Sequence, residues 1–289
     1  MMNNQELKGI LPINKPQGWT SFDVVNKIKH IISVRGLKIG HLGTLDPMAT
    51  GVLLVTIGKA TKLFDIMQEK SKLYRATFQF GIETDSLDAT GVKTSENDKI
   101  VTLNEIEAVL PKFCGEINQI PPKFSAKSVN GKRAYDLARN NAEFELKASK
   151  IKVNYFRTVN FEKNIWTVDI MCGSGTYIRA LGRDIAHELD TVATMTSLVR
   201  TQIDNFRLEN CEEIGEISKD NISQKIVKIK DVLSLPILEL EDNLRFKILN
   251  GQTLKIEKPN GAYLLNDELD TLAIIQIKDF NAKMSIFLA

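Results

Sequence analysis

The sequence is poor in the residues that form metal centres and disulfide frameworks. Its 289 residues include three cysteines and three histidines. Cys114, Cys172 and Cys211 are far apart and lack metal-ligand spacing, and an odd number of such cysteines fits a reducing compartment. The three histidines lie in unrelated segments. We therefore expect no disulfide framework, no metal and a cytoplasmic protein.

Long apolar runs and nucleotide-binding fingerprints are also missing. No segment approaches the ~18 consecutive apolar residues of a membrane span. The N-terminal stretch MMNNQELKG has no apolar core that would serve as a secretory signal. The chain shows neither a P-loop nor a dinucleotide fingerprint after a strand. These absences predict a protein that works away from membranes and without a cofactor.

Charge is balanced overall but uneven along the chain. The net charge is +2, and the 43% hydrophobic and 26% charged fractions are ordinary for a globular protein. Residues 112–152 hold nine Lys/Arg against four Asp/Glu, whereas residues 209–242 hold four against nine. A basic segment in a balanced chain suits the docking of phosphates, although an ordinary solvated face remains the alternative.

The most informative segment runs from Gly40 to Gly51 and precedes the apolar residues Val52–Val55. It places one carboxylate, Asp46, on a glycine-rich loop that also includes His41. Pro47 fixes its own φ and directs Asp46 toward an extended backbone, and the glycines permit tight turns and close approach of a ligand. Such a loop presents one acid to a large molecule. A solvated Asp-Pro turn is the alternative.

Apolar periodicity indicates mixed secondary structure. Residues 73–80 alternate between apolar and polar side chains, which predicts a strand with one buried face. Thr20 and Thr102 are predicted to cap helices. Because helices and strands do not follow a regular β-α-β order, we expect an α+β fold with a mixed, largely antiparallel sheet. The other predicted elements are strands at 51–57, 151–158, 164–171 and 192–207 and a helix at 176–188.

A domain boundary is expected near Leu235–Pro236, after the acidic stretch. Residues 1–235 would form the main domain and residues 236–289 a small β-rich module. In that module we predict a helix at 243–249 and strands at 253–256, 262–265, 271–278 and 283–288.

Five ordered blocks across roughly residues 9–207 resemble the bacterial TruB-type tRNA pseudouridine synthases. The blocks are GHLGTLDPMATGVLLV at 40–55, Asn14–Ser21, Lys72–Tyr74, Gly175–Arg179 and Leu198–Thr201. The resemblance implies the pseudouridine synthase fold, an RNA-binding insertion at 112–152 and a reduced, PUA-like RNA-binding module at 236–289.

The resemblance also implies a reaction. Uridine at position 55 in the T loop of tRNA would be isomerised to pseudouridine. The N1–C1′ bond would break, the base would turn, and C5 would bond to C1′. This chemistry needs no cofactor and no metal. The expected partner is the T-arm stem-loop of tRNA, with no obligatory protein partner and a monomeric enzyme.

The family's catalytic residues correspond to Asp46, Tyr74 and Arg179. Asp46 would act as a nucleophile or charge stabiliser, and Arg179 would hold it in the ionised form. Tyr74 would be an aromatic platform under the flipped uracil, where stacking contributes roughly 1–3 kcal/mol. The residues alone leave open that Tyr74 is a core tyrosine and that Arg179 is an exposed arginine at a helix start.

The remaining correspondences concern substrate binding. His41 would fill the space left when the uridine swings out of its loop, a movement that costs a few kcal/mol. Tyr177 would contact the nucleotide, and Leu198 would supply an apolar wall, unless it is ordinary core. The other expected RNA-binding residues are Lys15, Lys123, Lys132 and Arg133.

The sequence departs from the family pattern at three positions, each of which removes a polar or charged group. Phe124 stands where Tyr is usual, Ser128 where Lys is usual, and Val199 replaces the first Arg of a Leu-Arg-Arg-Thr segment. These changes affect details of affinity and not the reaction class. Two rival interpretations remain: a synthase for another RNA, including protein-guided relatives, which usually carry extra tails, and an RNA-binding or RNA-folding module without catalysis.

Overall fold

A computed structural model of the chain describes residues 7–125, 127–129, 131–140, 142–268 and 270–289. Its strands form a large mixed sheet, a small four-stranded sheet and two short two-stranded ribbons. In chain order the strands are β1 (Gly9–Lys15), β2 (Ile39–Leu42), β3 (Thr50–Ile57), β4 (Lys72–Phe80), β5 (Ile82–Thr84), β6 (Lys93–Glu96), β7 (Gly115–Gln119), β8 (Ser128–Val129), β9 (Lys132–Arg133), β10 (Ser149–Glu162), β11 (Ile165–Cys172), β12 (Ala193–Ile203), β13 (Phe206–Arg207), β14 (Glu212–Glu213), β15 (Leu254–Lys255), β16 (Gly261–Asn266), β17 (Thr271–Lys278) and β18 (Asn281–Phe287).

The helices are mostly short and lie between these strands. None of them, in the part of the chain that the structure describes, is long and apolar enough to cross a membrane. They are α1 (Ser21–Ile32), α2 (Phe64–Gln68), α3 (Leu103–Val109), α4 (Ala134–Arg139), α5 (Ile178–Glu188), α6 (Ile222–Lys225), α7 (Ile229–Val232) and α8 (Asp242–Leu249).

The large sheet has the strand order β14-β1-β3-β12-β4-β11-β10-β7, with β2 added beside β3 and β13 beside β12. The pairs β1–β14 and β3–β12 are parallel, and the other pairs in this sheet are antiparallel. This arrangement confirms the predicted α+β class with a mixed, largely antiparallel sheet.

Both predicted helix caps are present. Thr20 accepts a hydrogen bond from the backbone N–H of Asp23, and the Asp23 carboxylate accepts one from the backbone N–H of Thr20 at 2.8 Å. Thr102 and Glu105 make the same reciprocal pair at the start of α3. Each pair satisfies two backbone donors that a helix start otherwise leaves unpaired, which fixes where the helix begins.

The alternating strand at 73–80 buries the predicted side chains. Tyr74, Ala76, Phe78 and Phe80 on β4 share a core with apolar residues of α5. The helix predicted at 176–188 begins later, at Ile178, because Tyr177 has an extended backbone and its N–H is bound to the Gln119 side chain at 2.9 Å.

Two further boundaries differ from the prediction. His41, expected on the loop, lies on β2 and pairs with Val55 of β3. The strand predicted across 192–207 ends at Ile203, since Asp204 has a φ of 49° and turns the chain back into β13.

The C-terminal residues form the second sheet, in the order β15-β18-β17-β16, with α8 beside it. Strands at 261–266, 271–278 and 281–287 lie close to their predicted positions. This module also packs on the large sheet: Leu264, Ile274 and Leu288 share an apolar cluster with Val52 and Leu54 of β3.

Helix α1 packs on the face of β3 that lies opposite the C-terminal module. Ile28 of α1 shares a cluster with Leu53 and Val55, which alternate along β3 with Val52 and Leu54. Successive side chains of a strand point to opposite faces of its sheet. Helix α1 and the C-terminal module therefore cover opposite faces of the same strand.

We predict that Gly182→Ala destabilises the protein. Gly182 lies on α5, and an added Cβ would stand 2.2 Å from Cε1 of the buried Phe78 ring. Overpacking a core typically costs about 1–3 kcal/mol, which exceeds the ~1 kcal/mol that alanine gains over glycine in a helix.

Urea denaturation measures the free energy of unfolding of each variant. Gly215→Ala is the matched control, because an added Cβ there meets no atom within 4 Å. A Gly182→Ala protein as stable as the wild type would contradict the close packing of α5 on β4.

Candidate active site

The loop between β2 and β3 carries Asp46 and is fixed by its own backbone and by the start of α1. The Ser21 hydroxyl accepts a hydrogen bond from the Leu45 N–H at 2.9 Å and lies 3.3 Å from the Leu45 carbonyl, to which it donates. The Pro47 carbonyl accepts from the Gly18 N–H at 2.7 Å. Both chain neighbours of Asp46 are thereby held by the segment around Gly18–Ser21.

Lys15 adds a buried cation to this loop. Its side chain is fully enclosed, and the ammonium donates to the carbonyls of Pro16 at 2.9 Å, Trp19 at 2.6 Å and Pro47 at 3.4 Å. Burial lowers the pKa of Lys15 to about 8, and the nearby Asp46 charge opposes this shift. In this geometry the ammonium faces the backbone of the Asp46 loop, so the predicted RNA contact of Lys15 stays a prediction.

Arg179 binds both carboxylate oxygens of Asp46. Its Nε lies 2.9 Å from Oδ2, and its Nη2 donates to Oδ1 at 3.1 Å. The Arg179 side chain is only 5% exposed, against 35% for Asp46. The alternative of an exposed helix-start arginine is therefore excluded. A two-point, charge-assisted contact fixes the orientation of the carboxylate and leaves part of it open to a ligand.

The same guanidinium joins two other segments. Its Nη1 donates to the Ser86 carbonyl at 2.8 Å, and its Nη2 donates to the Phe124 carbonyl at 3.0 Å. Asp88, which was not among the expected site residues, lies 3.7 Å from Nε and is almost fully buried. The Asp88 carboxylate also accepts from the Thr90 N–H at 3.0 Å. Nothing in the local sequence around Asp88 indicated this second acid, because it resembles an ordinary polar turn.

Tyr74 is buried beside a second arginine, Arg200, its register partner on β12. The Arg200 guanidinium donates to the Val52 carbonyl at 2.7 Å and to the Gly43 carbonyl at 2.9 Å. Its Nη1 lies 3.5 Å from the Tyr74 hydroxyl. Burial raises the pKa of Tyr74, so the phenol is neutral at physiological pH.

Arg200 is a functional candidate that lies within the Leu198–Thr201 block but was not expected to have a role. Its side chain is 1% exposed, and no described carboxylate pairs with it. Backbone carbonyls on both sides of the Asp46 loop satisfy this buried cation instead. Its position therefore couples the loop to Tyr74.

Tyr177 connects α5 to the basic segment. Gln119, which is buried, accepts from the Tyr177 N–H and donates to the Tyr177 carbonyl at 3.1 Å. Burial raises the pKa of the Tyr177 phenol. Together with the Phe124 contact to Arg179, these bonds attach the start of the 112–152 segment to the site.

His41 and Leu198 lie at the margin of the site. Among the described residues, His41 Nδ1 is buried without a hydrogen-bond partner. Burial and the Arg200 charge lower the pKa of His41, which favours the neutral imidazole. Leu198 is 6% exposed and packs in the same core as Leu45 and Tyr74, so its contacts are those of a core residue.

The predicted RNA-binding cations of the insertion are on the surface. Lys123, Lys132 and Arg133 are all exposed, and the last two lie on β9 of a short hairpin with β8. Lys123 precedes Phe124, whose carbonyl binds Arg179. Within the described residues no three His, Cys, Asp or Glu side chains are grouped so that they would hold a metal.

Two solved chains share this architecture. A solved chain of a Cbf5-Nop10-Gar1 complex superposes with a TM-score of 0.72 at 22% identity, covering 99% of this chain and 84% of that one. A chain of an H/ACA RNP bound to a substrate RNA containing 2′-deoxyuridine superposes with a TM-score of 0.73 at 20% identity, covering 99% of this chain and 86% of that one. At such identities the likeness concerns the fold.

Sequence similarity identifies the family. Residues 29–178 match the model of the TruB family pseudouridylate synthase N-terminal domain. The chain is 40% identical over 252 residues to tRNA pseudouridine synthase B of Clostridium kluyveri, covering 87% of this chain and 86% of that one. It is 38% identical over 281 residues to the protein of the same name from Fusobacterium nucleatum, covering 95% of this chain and 97% of that one. The chain belongs to the TruB family of pseudouridylate synthases, which confirms the resemblance of the five blocks.

We predict a distinct pH dependence for the stability contribution of Lys15. Its pKa is about 8 in the folded protein and 10.5 ordinarily. Between these values the unfolded state binds more protons, so the contribution of Lys15 to the free energy of unfolding rises with pH. The stability of the wild type relative to Lys15→Met should therefore increase from pH 8 to about 10.5.

Chemical denaturation at several pH values between 7 and 10.5 tests this expectation. Lys163→Met, at an exposed lysine, is the control for loss of a surface charge. A difference between wild type and Lys15→Met that stays constant with pH would show that the ammonium is not desolvated in the folded protein.

Proposed function

We propose that the protein isomerises uridine 55 in the T loop of tRNA to pseudouridine. The observation that carries the proposal is the partly open Asp46 carboxylate, held at two points by the buried Arg179. The names of the curated relatives support tRNA as the substrate.

The reaction conserves the composition of the nucleotide. The N1–C1′ bond breaks, the base turns, and C5 bonds to C1′. The proton on C5 is then released and N1 takes up a proton. Asp46 acts as a nucleophile or as a charge stabiliser on the flipped-out uridine. Its fixed orientation supports either role, because the carboxylate needs no reorganisation when the substrate arrives.

Tyr74 lies under the uracil in this proposal and Arg200 positions it. A neutral phenol stacks on the base and keeps its hydroxyl available for hydrogen bonding. Stacking of a base on an aromatic side chain contributes roughly 1–3 kcal/mol. That gain offsets part of the few kcal/mol needed to extrude the uridine.

Other residues bind the RNA around the target. Tyr177 contacts the nucleotide, Leu198 closes the pocket with an apolar wall, and His41 occupies the space that the uridine leaves. The exposed cations Lys123, Lys132 and Arg133 contact phosphates of the T arm.

In this proposal the chain has two domains. Residues 1–235 carry the catalytic machinery, and residues 236–289 form a reduced PUA-like module that binds RNA away from the target loop.

The enzyme works as a monomer without a cofactor or obligatory protein partner. The solved chain of similar fold comes from a complex with Nop10 and Gar1. Activity of the purified chain alone on a T-arm stem-loop tests this independence.

We predict that Asp46→Asn lowers turnover by a factor on the order of 10³ or more, as losses of catalytic nucleophiles do. RNA binding should be nearly unchanged, because the phosphate and stacking contacts lie on other residues. Tritium release from C5-labelled uridine in a T-arm stem-loop measures turnover, and filter retention measures binding.

Asp65→Asn, at an exposed acid on α2, is the matched control. Substantial activity in the Asp46→Asn protein would rule out its catalytic role. Pseudouridine formed at another position of the tRNA by the wild type would refute the T-loop assignment.

A second prediction concerns the basic segment. Replacing Lys123, Lys132 and Arg133 together by Gln should weaken tRNA binding. The slope of log K against log salt should flatten by ~0.7–0.9 for each phosphate that the variant no longer binds. Titration at several salt concentrations gives the slope.

The control is the triple variant Lys93→Gln/Lys163→Gln/Lys219→Gln, which removes the same charge from exposed positions elsewhere. Equal slopes in the two triple variants would identify the 112–152 segment as an ordinary solvated face.

A further inference from the structure

Helix α1 is attached to the loop that carries Asp46. The hydroxyl of Ser21, the first residue of the helix, binds both the N–H and the carbonyl of Leu45. Just before the helix, the Gly18 N–H binds the Pro47 carbonyl at 2.7 Å. These bonds hold the residues on both sides of Asp46, so the solvent-facing side of α1 starts beside the catalytic loop.

That solvent-facing side carries an aromatic ring and cations. Phe22 is 60% exposed, although the other side of α1 buries Val24 and Ile28 completely. Lys29 Nζ lies 5.7 Å from the centroid of the Phe22 ring. An exposed ring beside an ammonium combines a stacking surface for a base with a contact for its phosphate.

A shallow, open depression of about 580 Å³ on the same helix is lined by Gly18, Trp19, Asp23, Asn26 and Lys27. The Asp23 carboxylate in it is already used, since it accepts from the Thr20 N–H at 2.8 Å and from the Thr20 hydroxyl at 2.7 Å.

The charge of this region favours a polyanion. Residues 21–38 hold four Lys/Arg (Lys27, Lys29, Arg35 and Lys38) against the single Asp23. Of these cations, Lys27 and Lys29 lie on the exposed side of α1 itself. This surplus is separate from the basic segment at 112–152.

We propose that the α1 face, defined as Phe22, Asn26, Lys27, Lys29 and the adjoining depression, binds the strand of the substrate RNA that flanks the target uridine. One base stacks on Phe22, a neighbouring phosphate contacts Lys29, and the strand continues across the exposed side of the helix to Lys27. The inference rests on the proposed function. Continuity with the Asp46 loop and the surplus of positive charge favour RNA over a protein as the occupant.

Two variants test the α1 face: Phe22→Ala and Lys27→Gln/Lys29→Gln. Affinity for a T-arm stem-loop is measured by filter retention at several salt concentrations. Phe22→Ala should weaken binding about fivefold or more, as removal of a stacking partner does. The double variant should also flatten the salt slope by ~0.7–0.9 for each phosphate left unbound. Single-turnover rates at saturating RNA should remain at the wild-type level, because neither change touches the reacting atoms.

Phe22→Trp keeps the stacking surface and should retain wild-type affinity, which separates stacking from a structural effect. The matched controls are Ile100→Ala, at another exposed apolar residue, and Lys93→Gln/Lys163→Gln. Circular dichroism and a cooperative melt verify folding. Unchanged affinity and salt slope in both α1 variants would overturn the inference. The same result is expected if the face binds a protein instead of RNA, so that case also overturns it. Binding is measured independently of turnover, so an inactive wild type would refute the proposed function alone.

Discussion

The structure around Asp46 depends on one buried guanidinium. Arg179 binds Asp46, the Ser86 carbonyl and the Phe124 carbonyl, and lies near Asp88. These groups are far apart in the chain, so a single cation joins segments that also meet through the Gln119–Tyr177 hydrogen bonds and a shared apolar core. A buried charge is costly unless its partners satisfy it. Loss of the Asp46 contact would leave the buried charge with two backbone carbonyls and with Asp88 at 3.7 Å.

A second group of interior cations is satisfied by backbone oxygens. Lys15 and Arg200 donate to carbonyls of the Asp46 loop and its flanks. Lys72 likewise donates to backbone, toward the Gln68 and Lys70 carbonyls, and burial lowers its pKa to about 8. A loop held in this way does not need regular secondary structure to be rigid. Because Lys15 and Arg200 bind backbone, they leave the Asp46 side chain to its two-point contact with Arg179.

Local chemistry made much of the fold predictable. The caps at Thr20 and Thr102 and the alternation along β4 are short-range signals, and the structure contains them. The family resemblance identified Asp46, Tyr74 and Arg179, whose roles remain proposals. The burial of Asp88 was not predictable, because it follows from contact with Arg179, which is distant in sequence. His41 lies on β2 because it pairs with Val55 of the next strand, a pairing that the surrounding glycines did not indicate. The same holds for the contacts of Arg200, which depend on the register of β12 against β3 and β4.

The cluster shared by β3 and the C-terminal module has a consequence for biosynthesis. Val52 and Leu54 of β3 are synthesised before their partners Leu264, Ile274 and Leu288, which lie much further along the chain. During translation one face of β3 in the large sheet therefore stays uncovered while its other face can already pack against α1. Exposed apolar sheet surface of this kind makes nascent chains prone to aggregation. The C-terminal strands thus complete the folding of a strand that was synthesised long before them.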